Sequence, residues 1–234
     1  MNIALLGYGR MGKSIETIAL QRNHSITLKA SGTNSDYDFL NTEVAIDFSI
    51  PAVAVSNIKK ALDAGVPVIS GTTGWLDQYE DVLEYCKSKG GTFLYASNFS
   101  LGVNLFFEIN KRLSQLMAKV DGYNAEIEEI HHTQKLDAPS GTAITLAEQI
   151  VKNTNYKNWT LDQPKSDEIY IDAKRIENVS GTHKITYNSE IDSISIKHTA
   201  HSRKGFAMGA VIAAEWIKNK KGVFSMKDVL NINA

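Results

Sequence analysis

The chain has 234 residues, 43% hydrophobic and 22% charged, with a formal net charge of −1 at pH 7. That is the length and composition of an ordinary globular protein with one large domain or two small ones, and so small a charge supplies no basic field to recruit nucleic acid or an acidic membrane. The one cysteine, Cys86, leaves no internal disulfide, and MNIALLGYG has neither a basic n-region nor an apolar run long enough for a leader or a span, so a soluble cytoplasmic protein is expected.

In chain order, Asn2–Leu6 reads as a strand that ends at a glycine, and Ile15–Leu20 has helical apolar spacing. Ile26–Ala30 and Val44–Phe48 read as further strands. The stretch between them is short and polar, with at least one helix trimmed or missing. Pro51 suits the first turn of a helix that runs to Ala64, and Gly65 suits its stop. Val66–Ile69 is a fourth strand, Leu76–Ser88 an amphipathic helix and Phe93–Tyr95 a fifth strand. Strands alternating with helices imply βαβ units and a parallel sheet.

The first strand runs into Gly7-Tyr8-Gly9-Arg10-Met11-Gly12, a G-x-G-x-x-G between a predicted strand and a predicted helix. Gly7 allows the tight turn, Gly9 the approach of a pyrophosphate, and Gly12 close packing of helix on strand; the helix N-terminus offers free N–H groups. A Rossmann-like dinucleotide-binding domain is expected. NAD sites usually place an acidic residue about 20 residues on, at the end of the second strand. Here Lys29, Ala30, Ser31, Gly32 and Thr33 stand there, with no acid before Asp36. Arg10, Lys29, Ser31 and Thr33 suit a 2′-phosphate, so NADPH is favoured over NADH, with both usable. Gly71-Thr72-Thr73-Gly74 and Ala96-Ser97-Asn98-Phe99 follow strands four and five, on the edge where open parallel sheets bind ligands.

After a helix at Val103–Met117 the period changes. Asn124–Ile130 alternates as a strand with one wet face, Thr142–Asn153 is a helix, and Ile169–Ile171, Lys184–Tyr187 and Ser193–Thr199 are short strands. Phe206–Lys218 is an apolar helix able to pack back on the first half. The fold class expected is α/β: a Rossmann-like domain over residues 1–102, completed by 206–234, and an α+β domain with an open mixed sheet over 103–205. A cofactor half and a substrate half is a common enzyme layout.

Between these elements lies EIHHTQKLDAPSGTA, residues 129–143. His131 and His132 close a strand and point to opposite faces if it persists through them. Lys135 follows in a turn, and Pro139 restricts Ala138, so a helix should open at about Ser140. N–H groups near Gly141 and Thr142, with the Thr142 hydroxyl, form a carboxylate site to which Lys135 adds a charge. A histidine near pKa 6.5, shifted by a neighbouring cation, suits a general acid or base. Zinc does not fit, for the chain lacks H-E-x-x-H and has no cysteine ligand nearby; nor does Ser140 sit in the elbow of a hydrolase nucleophile.

The run HHTQKLDAPSGTA closely resembles the H-H-x-x-K-x-D-x-P-S-G-T-A signature of the 4-hydroxy-tetrahydrodipicolinate (dihydrodipicolinate) reductase family. GYGRMG, VAIDFSIP, AGVPVISGTTGW, ASNFSLGVNL, SGTHKITY and FAMGAVIAAEWI resemble family blocks in family order, over nearly the whole chain. The resemblance implies hydride transfer from NADH or NADPH to a cyclic unsaturated imine dicarboxylate with loss of water, in the diaminopimelate route to lysine. It implies His131 as proton donor or acceptor and Lys135 as second proton donor. His132, Gly141 and Thr142 would bind substrate. Gly7, Tyr8, Gly9, Arg10, Met11, Gly12, Gly71, Thr72, Thr73, Ala96, Ser97, Asn98 and Phe99 would bind the cofactor. It also implies a homotetramer formed through the second domain. Arg203 is a further carboxylate partner by its charge alone. The sequence departs from the family in a glycine loop one residue shorter than GxxGRMG and a shortened link between strands two and three. Two other readings stay open: another Rossmann reductase acting on a small oxo or imino acid, and a non-catalytic NAD(P)-sensing regulator.

Overall fold

The computed structural model describes residues 1–32, 36–202 and 204–232. Thr33 and Arg203 lie outside the described residues. In chain order the elements are β1 (Asn2–Leu6), α1 (Arg10–Gln21), β2 (Ser25–Ala30), β3 (Val44–Asp47), α2 (Pro51–Asp63), β4 (Val68–Ser70), α3 (Tyr79–Ser88), β5 (Thr92–Tyr95) and α4 (Leu101–Met117). They continue with β6 (Asn124–His131), α5 (Gly141–Asn153), β7 (Asn158–Thr160), β8 (Glu168–Arg175), β9 (Thr182–Asn188), β10 (Ser193–Thr199), α6 (Lys204–Ile217), β11 (Gly222–Phe224) and α7 (Met226–Val229). Two compact units result: Met1–Leu101 with Lys204–Ala234, and Gly102–Arg203.

The first unit is a parallel sheet of order β11-β5-β4-β3-β1-β2. Side chains alternate across a strand, so β1 feeds two cores. Ile3 and Leu5 join Ile15 and Ile18 of α1 and Ala210, Val211 and Ala214 of α6. Ala4 and Leu6 join Ala54, Ile58 and Leu62 of α2 and Val82 of α3. A strand buried on both faces reads as the unbroken apolar run that β1 shows. Helix α6 is rich in small residues because its backbone passes close to the chain at Phe99: a Cβ on Gly209 would lie 1.7 Å from the Phe99 carbonyl oxygen. This is the expected Rossmann-like parallel sheet. The three-residue β11 at its edge, and α7 after it, were not foreseen.

The second unit is a mixed five-stranded sheet, β10-β9-β6-β8-β7, antiparallel in its first two pairings and parallel in its last two. One face is apolar. Ile127, Ile169, Ile171 and Ile185 pack there against Leu146, Ala147 and Ile150 of α5 and Phe106 and Met117 of α4. Among the described residues, no helix is long and apolar enough to cross a membrane.

Candidate active site

Parallel strands put the carboxyl ends of β1, β3, β4 and β5 at one edge of the first sheet. There, Gly7 N–H donates to Ala30 O at 3.0 Å, Phe48 N–H to Leu6 O at 2.8 Å and Gly71 N–H to Asp47 O at 2.9 Å. The glycines of this edge separate by cause. Gly7 has φ +100°, and a Cβ on it would lie 2.1 Å from the Phe48 oxygen. A Cβ on Gly12 would lie 2.2 Å from the Gly7 oxygen, and one on Gly71 2.3 Å from the Phe48 ring. Backbone therefore demands glycine at Gly7 and Gly12, while at Gly71 it is the Phe48 side chain that fills the space. A Cβ on Gly9 would meet nothing within 4 Å, and its φ of −83° suits any residue. Gly9 caps α1 with no side-chain acceptor, although Ser, Asn or Asp would cap better, and the first turn holds no acid. An exposed, uncapped helix start beside bare backbone fits a phosphate.

Other candidates at this edge are already engaged. The buried Asp47 carboxylate accepts from Ser49 Oγ (2.6 Å), Thr72 Oγ1 (2.7 Å), Ser70 Oγ (2.8 Å) and Asn57 Nδ2 (3.1 Å). Burial pushes its pKa up, against the pull of those four donors. Thr72 Oγ1 also accepts from Ser49 N–H at 2.9 Å, so Asp47 and Thr72 tie the loop after β3 to the loop after β4. The Phe99 side chain is core, tilted against Phe48 at 5.5 Å. Asn98 Oδ1 accepts from Ser100 N–H at 2.9 Å. Thr72 and Phe99 thus leave chiefly backbone for a ligand, whereas Arg10, Thr73 and Ser97 are exposed; Met11 and Ala96 are half-buried.

Lys29 corrects the picture of an uncontested cation at the end of β2. Its Nζ lies 2.5 Å from Glu16 of α1 and 5.0 Å from the Tyr8 ring centre, and Tyr8 OH donates to Glu16. An acid absent from the end of β2 is supplied from the neighbouring helix. Sequence distance hid it.

In the second unit, β6 ends at His131 as the turn begins. Glu129 and His131, two apart, share the inward face of β6. Register supplies two further residues: His183 of β9 is the antiparallel partner of Glu129, and Arg175 of β8 the parallel partner of His131. Glu129 is fully buried, and His183 and His131 nearly so. Ser140 N–H donates to both Glu129 oxygens at 3.1 Å, and Arg175 Nη2 reaches Oε1 at 3.2 Å. His131 Nδ1 and His183 Nε2 each lie 3.6 Å from Oε2.

Burial alone would raise the Glu129 carboxyl, but the donors from His183 and Ser140 outweigh it and hold the pKa at about 2. Burial first, then repulsion from His183, drives His131 down to about 4, against the pull of Glu129. Lys135 and Arg175 push the same way, so the expected shift by a neighbouring cation is present, behind burial and His183, and His131 rests neutral at pH 7. Glu129, His131 and His183 bring their ligand atoms within 4.8 Å of one another, as a cation would need. The Arg175 guanidinium and the Ser140 N–H already fill the Glu129 oxygens, so these residues form an ion-pair cluster and suit a metal poorly.

Ser140 caps α5, its Oγ accepting from Ala143 N–H at 3.2 Å while lying 3.1 Å from His183 Nε2. Helical geometry leaves the N–H groups of Gly141 and Thr142 without an intrahelical acceptor. A Cβ on Gly141 would meet nothing within 4 Å. Lys135 Nζ is paired with Asp137 at 2.7 Å, and Arg175 Nη2 donates to Asp137 O at 2.5 Å, fastening the turn to β8. The charge expected to stand ready at Lys135 is therefore shared. His132 lies apart from His131, lining a pocket of about 450 Å³ with Gln134, Glu177 and Ser180. Glu129, Arg175 and His183 were missed in the sequence. One signal did exist: Glu129 has the parity of Ala125 and Ile127, the buried positions of β6.

Residues 1–99 match the family profile described as dihydrodipicolinate reductase, N-terminus, and residues 102–230 the one described as its C-terminus. A 4-hydroxy-tetrahydrodipicolinate reductase of Christiangramia forsetii is 56% identical over 99% of this chain and 98% of its own. One from Rickettsia canadensis is 36% identical over 99% of both chains. Among solved structures, a dipicolinate-bound dihydrodipicolinate reductase from Paenisporosarcina sp. TG-14 superposes with a TM-score of 0.76, covering 96% of this chain and 97% of that one at 20% identity, a likeness of fold.

Proposed function

This chain belongs to the dihydrodipicolinate reductase family, and from that premise we propose that it reduces 4-hydroxy-tetrahydrodipicolinate to tetrahydrodipicolinate with loss of water, at the expense of NADPH or NADH. The observation that carries the reading is 56% identity to a curated reductase over 99% of the chain. A sensing regulator would not need the buried histidine–carboxylate cluster beside a helix start. A different Rossmann reductase would leave the His131–Ala143 run without a role.

When bound, the nicotinamide cofactor supplies the hydride. The first unit suits it: Gly9 leaves bare backbone at the start of α1, and Gly7, Tyr8, Arg10, Met11 and Gly12 complete that turn. Gly71 to Thr73 and Ala96 to Phe99 would line the same sheet edge. In the second unit, Gly141 and Thr142 would hold a substrate carboxylate by N–H and hydroxyl donors, and Lys135 would turn to it from Asp137. His132 would contact the substrate, as the family resemblance implies, and the pocket it lines supports that role. Loss of the ring hydroxyl with a neighbouring ring proton as water would give the conjugated imine; hydride addition to it leaves negative charge on the ring, and Lys135 with His131 would deliver the proton that quenches it. A dianion arriving beside His131 favours its protonated form, against the burial and the cations that disfavour it.

The test couples the synthase that makes the unstable substrate to NADPH consumption. Lys135→Ala should lower kcat by about 10²–10⁴-fold, the usual loss of a positioned acid, with NADPH affinity by fluorescence within a few-fold of wild type. Near-normal turnover, or joint loss of NADPH binding, would overturn the assignment.

Two further readings complete the proposal. The buried single Cys86 fits a reducing compartment, which supports a cytoplasmic enzyme. Exposed Ile194 on β10, at 40%, with Ile191 in the turn that leads into it, at 92%, supports a homotetramer through this edge of the second unit. Light scattering on the purified protein should give four times 25.8 kDa, and a monomer at micromolar concentration would exclude it.

A further inference from the structure

The fully buried carboxylate of Glu129 lies at the centre of the proton-transfer cluster, and the reaction as written above has no use for it. We infer that Glu129 is a positioning residue: its carboxylate fixes the His131 ring with the proton on Nδ1, and at the same time pins the start of α5, so that the proton carrier and the carboxylate site keep one geometry. This rests on the reductase reading above.

The sheet itself builds the arrangement. Glu129 and His131 share a face of β6, and His183 is brought opposite Glu129 by the β6–β9 register. Ser140 N–H and Arg175 anchor the carboxylate from two sides. Its Oε2 then faces His131 Nδ1 at 3.6 Å, and this nitrogen is buried with no hydrogen-bond partner. Facing a fixed negative charge, Nδ1 is the nitrogen that keeps the proton in the neutral ring, which leaves the lone pair on Nε2. Gly181 flanks Nε2: a Cβ there would lie 3.2 Å from it. The His183 ring stands edge-on to His131 at 5.1 Å. The charged and titratable groups facing His131 are Glu129, His183, Lys135 and Arg175. Only Glu129 among them favours an imidazolium, so it alone helps His131 accept a proton.

The same carboxylate orders the anion site. By accepting from Ser140 N–H it sets the residue whose Oγ caps Ala143, and hence the first turn that presents Gly141 and Thr142. The two roles separate in Glu129→Gln. A glutamine of the same shape still accepts from Ser140 N–H but carries no charge for His131.

Three measurements on the full chain test this. Nitrogen-15 NMR of the histidine rings in wild type, with His131→Gln for assignment, should show the Nδ1–H form of His131 at pH 7.5; a dominant Nε2–H form overturns the inference. Glu129→Gln should lower kcat at least tenfold and move the basic limb of the kcat–pH profile about one pH unit lower, with NADPH affinity within twofold. A profile that keeps its shape, or kcat within twofold of wild type, overturns it. If Glu129→Gln does not fold, the wild-type tautomer decides. Failure of the reductase reading looks different: wild type itself would not consume NADPH with this substrate, while the tautomer measurement stands independent of turnover.

Discussion

Lys29 illustrates how much one partner matters. Paired with Glu16, it offers a 2′-phosphate a shared charge, and a bound phosphate would have to displace the Glu16 carboxylate. Glu16→Gln should free Lys29 and raise the ratio of kcat/KM for NADPH over that for NADH about two- to fivefold, the scale of an exposed ion pair. Steady-state kinetics with both cofactors reads it, and an unchanged or lower ratio would remove Lys29 from the adenosine end of the site. Glu16 and Glu129 were illegible for one reason. Each acts on a residue that tertiary structure brings to it: Lys29 from the next strand, His183 and Arg175 through sheet register. The run from His131 to Ala143 was legible because its parts are local. A strand end, a turn and a capped helix start need no distant partner to be recognised.

The β1–α1 turn makes the same distinction at the level of an element. Its three glycines look equivalent as G-x-G-x-x-G, yet the backbone of the turn itself requires only Gly7 and Gly12. Gly7→Ala puts a methyl against the Phe48 carbonyl at a positive φ and should cost at least about 2 kcal/mol, seen as a lower denaturant midpoint. Gly9→Ala has open space and an ordinary φ, so its midpoint should stay close to wild type while NADPH affinity falls about tenfold or more. Unchanged NADPH binding in Gly9→Ala would show that no ligand backbone passes there. Long elements such as α2, α5 and α6 were readable from apolar period and from Pro51 and Ser140 at their starts. The three-residue β7 and β11 were not: unlike the equally short β4, which closes the apolar run from Val66 to Ile69, neither is marked by such a run, and each exists by pairing with β8 and β5 respectively.

For the whole molecule, the buried histidines predict an acid response that carboxylates alone would not give. The folded pKa of His131, about 4, lies below its ordinary 6.5, so between those values the unfolded chain binds the extra proton. Its contribution is fully present above pH 6.5 and is lost as pH falls toward about 4. His198 is also lowered, chiefly by burial, and acts with the same sign. Glu129, held at about 2, contributes above its ordinary 4.5 and loses that contribution only as pH falls through about 2, outside the histidine window. Asp47 is shifted upward and has the opposite sign, so it cannot be the source of loss on acidification. Thermal unfolding followed from pH 7 to pH 5 should therefore show a falling Tm before ordinary carboxylates titrate, with the His131 share amounting to no more than about 3 kcal/mol at the acid end. His131→Gln should flatten that slope and leave a remainder from His198. A Tm independent of pH over this range, or a slope identical in His131→Gln, would show that His131 is not held neutral by the fold. It would then enter the reaction as an ordinary, freely titrating imidazole.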